Sequence, residues 1–514
     1  MSEAPQTETP RIRRRAGGTG GRERVHTAAP LGRVTNPWTP VEIFSEDQVA
    51  QLIAGAHQVL ADYGMEIRSK AALDIFAQHG AVVDYASQMV RLPQEVVRHY
   101  RAFAPQKFVL RARNPAQNLH IGGNVLNFGP VGGAPNVADI ERGRRYGDFA
   151  AFQDILKLNH SLGALHWQGG VVVEPVDIPV PVRHLHMNLA HIQCSDQLWQ
   201  ARGVGGVAAQ DSLAMSAIEH QCSIEELAAK PSLMIVTNVN SPRRLDEEIL
   251  DSIMLMAKYG QCVCITPFTL MGAMAPITLA GALVQQTAEA LAVIVLCQMI
   301  RAGTPCIMGG FTSNVDMRTG SPAFGTPENV HATLGGAQLA RALKLPYRSS
   351  AVNASPVVDA QSTYETGFSL MAAIMSHSNL ITHAAGWLEG GLVNSFEKIV
   401  VDAEMLRSWA DMLKPAQFNA DDLALEAIGA VAPGGHFFGS DHTKVRYESA
   451  FYRPILSDWS NFENWQEHGA NDATTRAHEV WKKALATYQP PPLDDAVRDE
   501  LQDYVARRTR ELMP

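Results

Sequence analysis

The sequence predicts an α/β protein, a (β/α)8 TIM barrel with helical extensions before and after it. Eight short apolar runs recur roughly 30 to 43 residues apart, at 125–129, 164–173, 198–204, 232–238, 262–268, 305–310, 346–351 and 379–385. Helical patterns with recognisable caps lie between most of them, the alternation expected of βα repeats. No G-x-G-x-x-G follows an early strand, which weighs against a doubly wound open sheet.

Taken in order, residues 1–35 read as a disordered basic tail. Arg11, Arg13, Arg14 and Arg15 precede Gly17, Gly18, Gly20 and Gly21, and no apolar run follows for a signal peptide. Residues 36–115 form a mostly helical extension. Ser45 caps a helix through Tyr63 that Gly64 stops, and a second helix, 71–79, ends at Gly80. Residues 116–390 hold the barrel. There Leu245, Ile249, Ile253 and Met256 repeat at helical spacing ahead of Gly260. Thr278 caps a long helix through Arg301, and Thr326-Pro327-Glu328 gives cap, first-turn proline and first-turn acid in the favoured order. Asp359 caps an amphipathic helix between the last two strands. Residues 391–514 are mostly helical again, ending in the charged stretch 494–512.

Composition narrows the class. Of 514 residues 46% are apolar and 18% charged, as in a globular protein with a large core. A net charge of −9 and a pI near 6.1 argue against a nucleic-acid partner. The six cysteines show no C-x-x-C pair, consistent with a reduced cytoplasmic protein. The apolar stretch 279–300 is interrupted by Gln285, Gln286, Glu289 and Gln298, so a core helix is expected rather than a membrane span.

A barrel carries its site at the C-terminal ends of its strands. Phe128, Trp167, Gln168, Arg202, Asn238, Phe268, Phe311, Arg348, Asn353 and His383 stand at or just beyond those ends. A ring of aromatic faces attracts a quaternary ammonium, each worth about 1–2 kcal/mol when desolvated; the alternative for every ring is core packing. Arg202 and Arg348 require an anionic partner inside a barrel. That partner is a substrate carboxylate or an internal acid such as Asp359 or Glu365. His383 ends the last strand, in reach of substrate. His184-Leu185-His186 has strand-like spacing without a clear third metal ligand, and Cys262 with Cys264 reads as packing rather than zinc. No metal site is expected.

Longer motifs add a resemblance. G-P-V-G-G-A-P-N-V-A-D-I-E-R-G-R-R-Y (129–146), A-P-I-T-L-A-G-A-L-V-Q-Q-T-A-E-A-L-A (275–292), D-M-R-T-G (316–320) and P-V-V-D-A-Q-S-T-Y-E (356–365) stand in the barrel. G-G-H-F-F-G-S-D-H-T (434–443), P-I-L-S-D (454–458) and W-Q-E-H-G (465–469) follow it. Over about 35–485 the chain resembles the trimethylamine methyltransferase family. The resemblance implies a barrel that moves a methyl group from a methylated amine to the cobalt of a separate corrinoid protein.

Archetypal members carry pyrrolysine in this neighbourhood. Here only ordinary residues lie between Ala351 and Asp359, with Val357 or Val358 at the equivalent place. Similar proteins without pyrrolysine include glycine betaine methyltransferases. The chemistry agrees, because a quaternary nitrogen already carries the charge that makes it a leaving group. Such a site needs positioning more than acid–base help. His383 and Asn353 are then the expected catalytic residues, and Phe128, Trp167, Gln168, Arg202, Phe268, Phe311 and Arg348 the substrate-binding set. His436 and His442 are expected to contact the corrinoid, which a partner protein carries, no cofactor being tightly bound. The expected substrate is a quaternary amine, glycine betaine first; carnitine, proline betaine, choline and a non-catalytic binding barrel are the alternatives. A homo-oligomer without membrane or nucleic-acid partners completes the expectation.

Overall fold

The computed structural model describes residues 29–513. Arg11, Arg13, Arg14, Arg15 and the glycines Gly17, Gly18, Gly20 and Gly21 of the expected tail lie outside them. The last residues of that tail are part of the fold: the Leu31 N–H donates to the Gly163 carbonyl at 2.7 Å and Val34–Thr35 forms a strand. The fold is α/β, built on one strongly curled nine-stranded sheet. Eight strands, one in each of the eight apolar runs, are parallel: β1 Val125–Phe128, β2 Trp167–Gln168, β3 Leu198–Ala201, β4 Met234–Val239, β5 Cys262–Pro267, β6 Cys306–Gly309, β7 Tyr347–Ser350 and β8 Leu380–Thr382. Each pairs with the next in chain order from β2 to β8, and β8 pairs with β1. Between β1 and β2 the His166 N–H donates to the Phe128 carbonyl at 2.8 Å. The ninth strand, Val34–Thr35, runs antiparallel against Leu126 and Val125.

Strand alternation divides the core into two layers. Cys262 and Cys264 turn inward with Trp167, Leu198, Met234 and Leu380. Val263 and Ile265 turn outward onto the helices. The antiparallel pair Phe108–Leu110 and Leu119–Ile121 adds Leu110, Leu119 and Ile121 to the inward cluster, plugging the end where the strands begin. Each such aliphatic side chain contributes about 1.5–3 kcal/mol of burial.

The helix Leu279–Ile300 is apolar on all sides because it is sandwiched. β5 and β6 pack on one side, and the helices Glu46–Gln58, Lys70–Gln78 and Gln94–Arg101 pack on the other. Among the described residues it is the one helix long and apolar enough to cross a membrane, and 78% of its most apolar window is buried. Thr278 caps it as expected, accepting from the Gly281 N–H. The Ser45-capped helix is α-helical through Gln58 and widens into a π turn, Val59–Tyr63. Gly64 then ends it at φ 68°, where a Cβ would meet the Val90 carbonyl at 2.3 Å.

The strand-like spacing of His184-Leu185-His186 is corrected: both histidines lie on the helix Val180–Cys194. His184 serves packing. Its Nε2 lies 2.8 Å from Asp211, which also accepts from Tyr504 at 2.7 Å and from Arg508 Nε at 2.8 Å. This carboxylate clamps the C-terminal helix Asp495–Leu512 onto the body. Burial alone would raise its pKa, but the His184, Arg508 and Tyr504 bonds outweigh burial and hold it at about 2. A depressed carboxyl stabilises fully above its unfolded pKa of about 4 and less as pH falls through its folded one. The C-terminal helix is therefore expected to loosen between about pH 4 and pH 2. Asp211→Asn should remove that pH dependence in amide exchange of residues 495–512; an unchanged profile would contradict the clamp.

Candidate functional site

At the C-terminal ends of the strands the sheet opens into a cavity of about 640 Å3. The strand ends deliver its lining. Arg202 follows β3, Phe268 follows β5, Phe311 follows the Gly309-Gly310 pair at the end of β6, Arg348 lies within β7, and His383 follows β8. Gly310 is required here, because a Cβ would lie 2.2 Å from the Tyr347 hydroxyl. His383 sits at φ 58°, a left-handed conformation costly for a residue with a Cβ. That backbone places its ring in the cavity wall.

The wall is aromatic. Phe268 and Phe311 stack with centroids 5.1 Å apart, and Trp387 stands edge-on to Phe311 at 6.0 Å. His383 lies 4.2 Å from Trp387 and 5.5 Å from Phe311. Trp387 was not among the expected residues. Its only sequence signal was an aromatic two residues past the last apolar run, in A-A-G-W.

Asn353 is corrected from a substrate-facing role: it is fully buried behind this wall. It donates to the Trp387 carbonyl and to Thr366 Oγ1, while the Trp387 indole N–H donates to the Asn353 carbonyl at 3.0 Å. Behind Thr366 lies Lys398, itself 0% exposed, which donates to Thr366 at 3.1 Å and pairs with Asp402. Asp402 in turn accepts from the Gly386 N–H at 2.9 Å. A buried ion pair thus braces the segment that carries His383 and Trp387.

The two arginines differ in kind. Arg202 faces Glu174 at 3.4 Å, and Glu174 is also held by Arg183. Arg348 has no acid. The expected partners are engaged elsewhere: Glu365 accepts from the Ala354 N–H at 2.8 Å, and Asp359 caps the helix Ala360–Met375. Arg348 donates only to the Gly310 carbonyl and Thr382 Oγ1, its Nε lacks a partner, and its guanidinium stands 5.4 Å from the centre of the Phe311 ring. Burial lowers its pKa to about 10, so it stays charged near neutrality. Burial and the Arg348 charge drive the His383 pKa well down, leaving a neutral imidazole. Burial pushes the Cys264 thiol up to about 11, removing it as a thiolate.

Several expected residues lie outside the cavity. Phe128 shares the outward phase of β1 with Leu126 and belongs to the same buried cluster as Phe152 and Ile155 on the helix side. Trp167 points inward but fills the floor, so close that a Cβ on Gly129 would overlap its ring at 1.8 Å. Gln168 takes the opposite phase and donates to Gln197 at 2.9 Å. His436 is exposed and His442 half-buried, on a segment away from the cavity lining. Val357 is exposed and Val358 half-buried, and neither lines the cavity. Among the described residues, no group of three or more His, Cys, Asp or Glu side chains could hold a metal ion.

The trimethylamine methyltransferase (MTTB) family model matches residues 11–513. A glycine betaine methyltransferase of Desulfitobacterium hafniense (strain Y51) is 36% identical over 471 residues, covering 91% of this chain and 98% of that one. A trimethylamine methyltransferase of the same species (strain DSM 10664 / DCB-2) is 28% identical, covering 90% and 93%. Among solved structures, the monomethylamine methyltransferase of Methanosarcina barkeri superposes with a TM-score of 0.49 at 10% identity, covering 90% of this chain and 95% of that one. On the family match and the 36% relative, this chain belongs to the trimethylamine methyltransferase (MTTB) family of methyltransferase enzymes.

Proposed function

We infer that the protein demethylates a quaternary amine, glycine betaine first, and passes the methyl group to the Co(I) of a separate corrinoid protein. The observation that carries this reading is an aromatic wall of Phe268, Phe311 and Trp387 in a cavity without an available acid–base pair. His383 is neutral and Glu174 is engaged by two arginines. Displacement at a quaternary methyl needs neither group to move a proton: the electron pair of the breaking C–N bond leaves with nitrogen as a neutral tertiary amine. The protein's part is to desolvate the cation, stabilise it on ring faces and hold one methyl in line. The 36% identity to a glycine betaine methyltransferase supports the choice of substrate.

The acceptor supplies the nucleophile, and an apolar surface fits its docking: Met274, which shares an adjoining pocket with Phe268, is exposed, as are Ile277 and Met317 around Gly272. The reading includes a closed (β/α)8 barrel, supported by the His166–Phe128 bond at the seam, and divisions near residues 35, 115 and 390. It also includes a homo-oligomer, a cytoplasmic location and corrinoid contact by His436 and His442. Purified protein with Co(I) cobalamin is expected to form methylcobalamin from glycine betaine and not from trimethylamine. Equal rates with trimethylamine, or tight glycine betaine binding without methyl transfer, would refute the reading.

A further inference from the structure

Arg348 carries a full charge that no carboxylate among the described residues answers. It is 2% exposed, and its two hydrogen bonds, to the Gly310 carbonyl and Thr382 Oγ1, engage two of five N–H donors. No carboxylate contributes to the balance of forces on it; burial, Cys264 and Tyr347 do. Glu174, the acid in the cavity lining, is spoken for by Arg183 and Arg202. Isolated buried cations are costly. One that lines a cavity is matched when an anion enters.

We propose that Arg348 is the carboxylate anchor of the substrate, which makes the site selective for zwitterionic betaines over purely cationic amines and binds them carboxylate-inward. This deepens the quaternary-amine reading and rests on it. Strand position gives the direction. Arg348 lies within β7, whereas Phe268, Phe311 and Trp387 lie past the ends of their strands. Burial agrees: Arg348 is 2% exposed, whereas Phe268 and Phe311 are half-buried, so the arginine is the inner end of the site and these rings are nearer the mouth. The Phe311 ring centre is only 5.4 Å from the guanidinium carbon, so a carboxylate one methylene away from its ammonium spans the two features. The N-methyl groups then face the opening, where a methyl acceptor must approach. A purely cationic amine such as choline would instead place a second positive charge beside Arg348 in a poorly screened cavity.

Isothermal titration calorimetry tests this with glycine betaine, its carboxamide (a cation without the carboxylate) and choline, on the unmodified protein, Arg348→Met and Arg348→Lys. The unmodified protein should hold glycine betaine about 30-fold or more tighter than the amide. Arg348→Met should erase that preference while choline binding holds or improves, and Arg348→Lys should keep part of it. Equal affinity of the unmodified protein for glycine betaine and its amide overturns the proposal. So does equal weakening of all three ligands by Arg348→Met. The amide comparison needs no variant and remains decisive if Arg348→Met does not fold. Failure of the unmodified protein to bind any of the three sinks the quaternary-amine reading itself; binding of all three alike sinks only the anchor.

Discussion

Replacing Lys398 with methionine is expected to destabilise the protein by about 3–5 kcal/mol, because it strands the Asp402 carboxylate in the core. Lys398 and Asp402 sit one turn apart on the helix Phe396–Met412, their side chains 0% and 2% exposed. Asp402 retains one donor, the Gly386 N–H. Burial already raises its pKa against the pull of Lys398, and without Lys398 it should rise further. A carboxyl whose folded pKa is raised stabilises most below its unfolded pKa, and that contribution is lost as pH climbs through the folded one. The deficit should therefore be smaller at pH 5 than at pH 8. Lys398→Met with Asp402→Leu removes both charges and should recover much of the loss. Urea titration of the single and double variants, with slopes compared, measures both effects. A double variant as unstable as the single would show that packing, not the stranded charge, dominates.

Phe311→Leu is expected to lower kcat/KM for the quaternary amine about 5- to 30-fold, the value of one desolvated cation–π contact. Leucine keeps much of the volume among Phe268, Phe324 and Trp387, so stability should change by less than about 1.5 kcal/mol. A carbon isostere that keeps the carboxylate but lacks the ammonium charge separates charge from shape: 3,3-dimethylbutyrate, as a competitive inhibitor, should bind the variant and the unmodified protein about equally. Were its inhibition weakened as much as substrate turnover, Phe311 would be acting through shape alone. Both expectations concern one wall, Phe311 in its face and Lys398–Asp402 behind it.

Much of this was legible in the chain. Each of the eight apolar runs overlaps its parallel strand, and Ser45, Thr278, Thr326 and Asp359 all cap helices. Strand-end position alone brought Arg202, Phe268, Phe311, Arg348 and His383 to one cavity. The failures have a common cause. Phe128 and Trp167 also sit at strand ends, but the face each presents depends on which layer its strand packs against. Trp387 and Asn353 lie past their strands, where hydrogen bonds between two loops set direction. At i,i+4 spacing Lys398 and Asp402 carry no local mark of burial, and only the packing of residues around that helix buries them.

The sequence by itself determined the alternation of strands and helices, the caps and the family, because periodicity, capping and motif are written in residues close together along the chain. Tertiary structure alone decided which arginine is free. Glu174 reaches Arg202 and Arg183, while Asp359 and Glu365 turn to the backbone instead of Arg348. Charge compensation depends on distance in space. An arginine's solvation and its partner are set when separate strands and loops close around one cavity, and no local pattern records that.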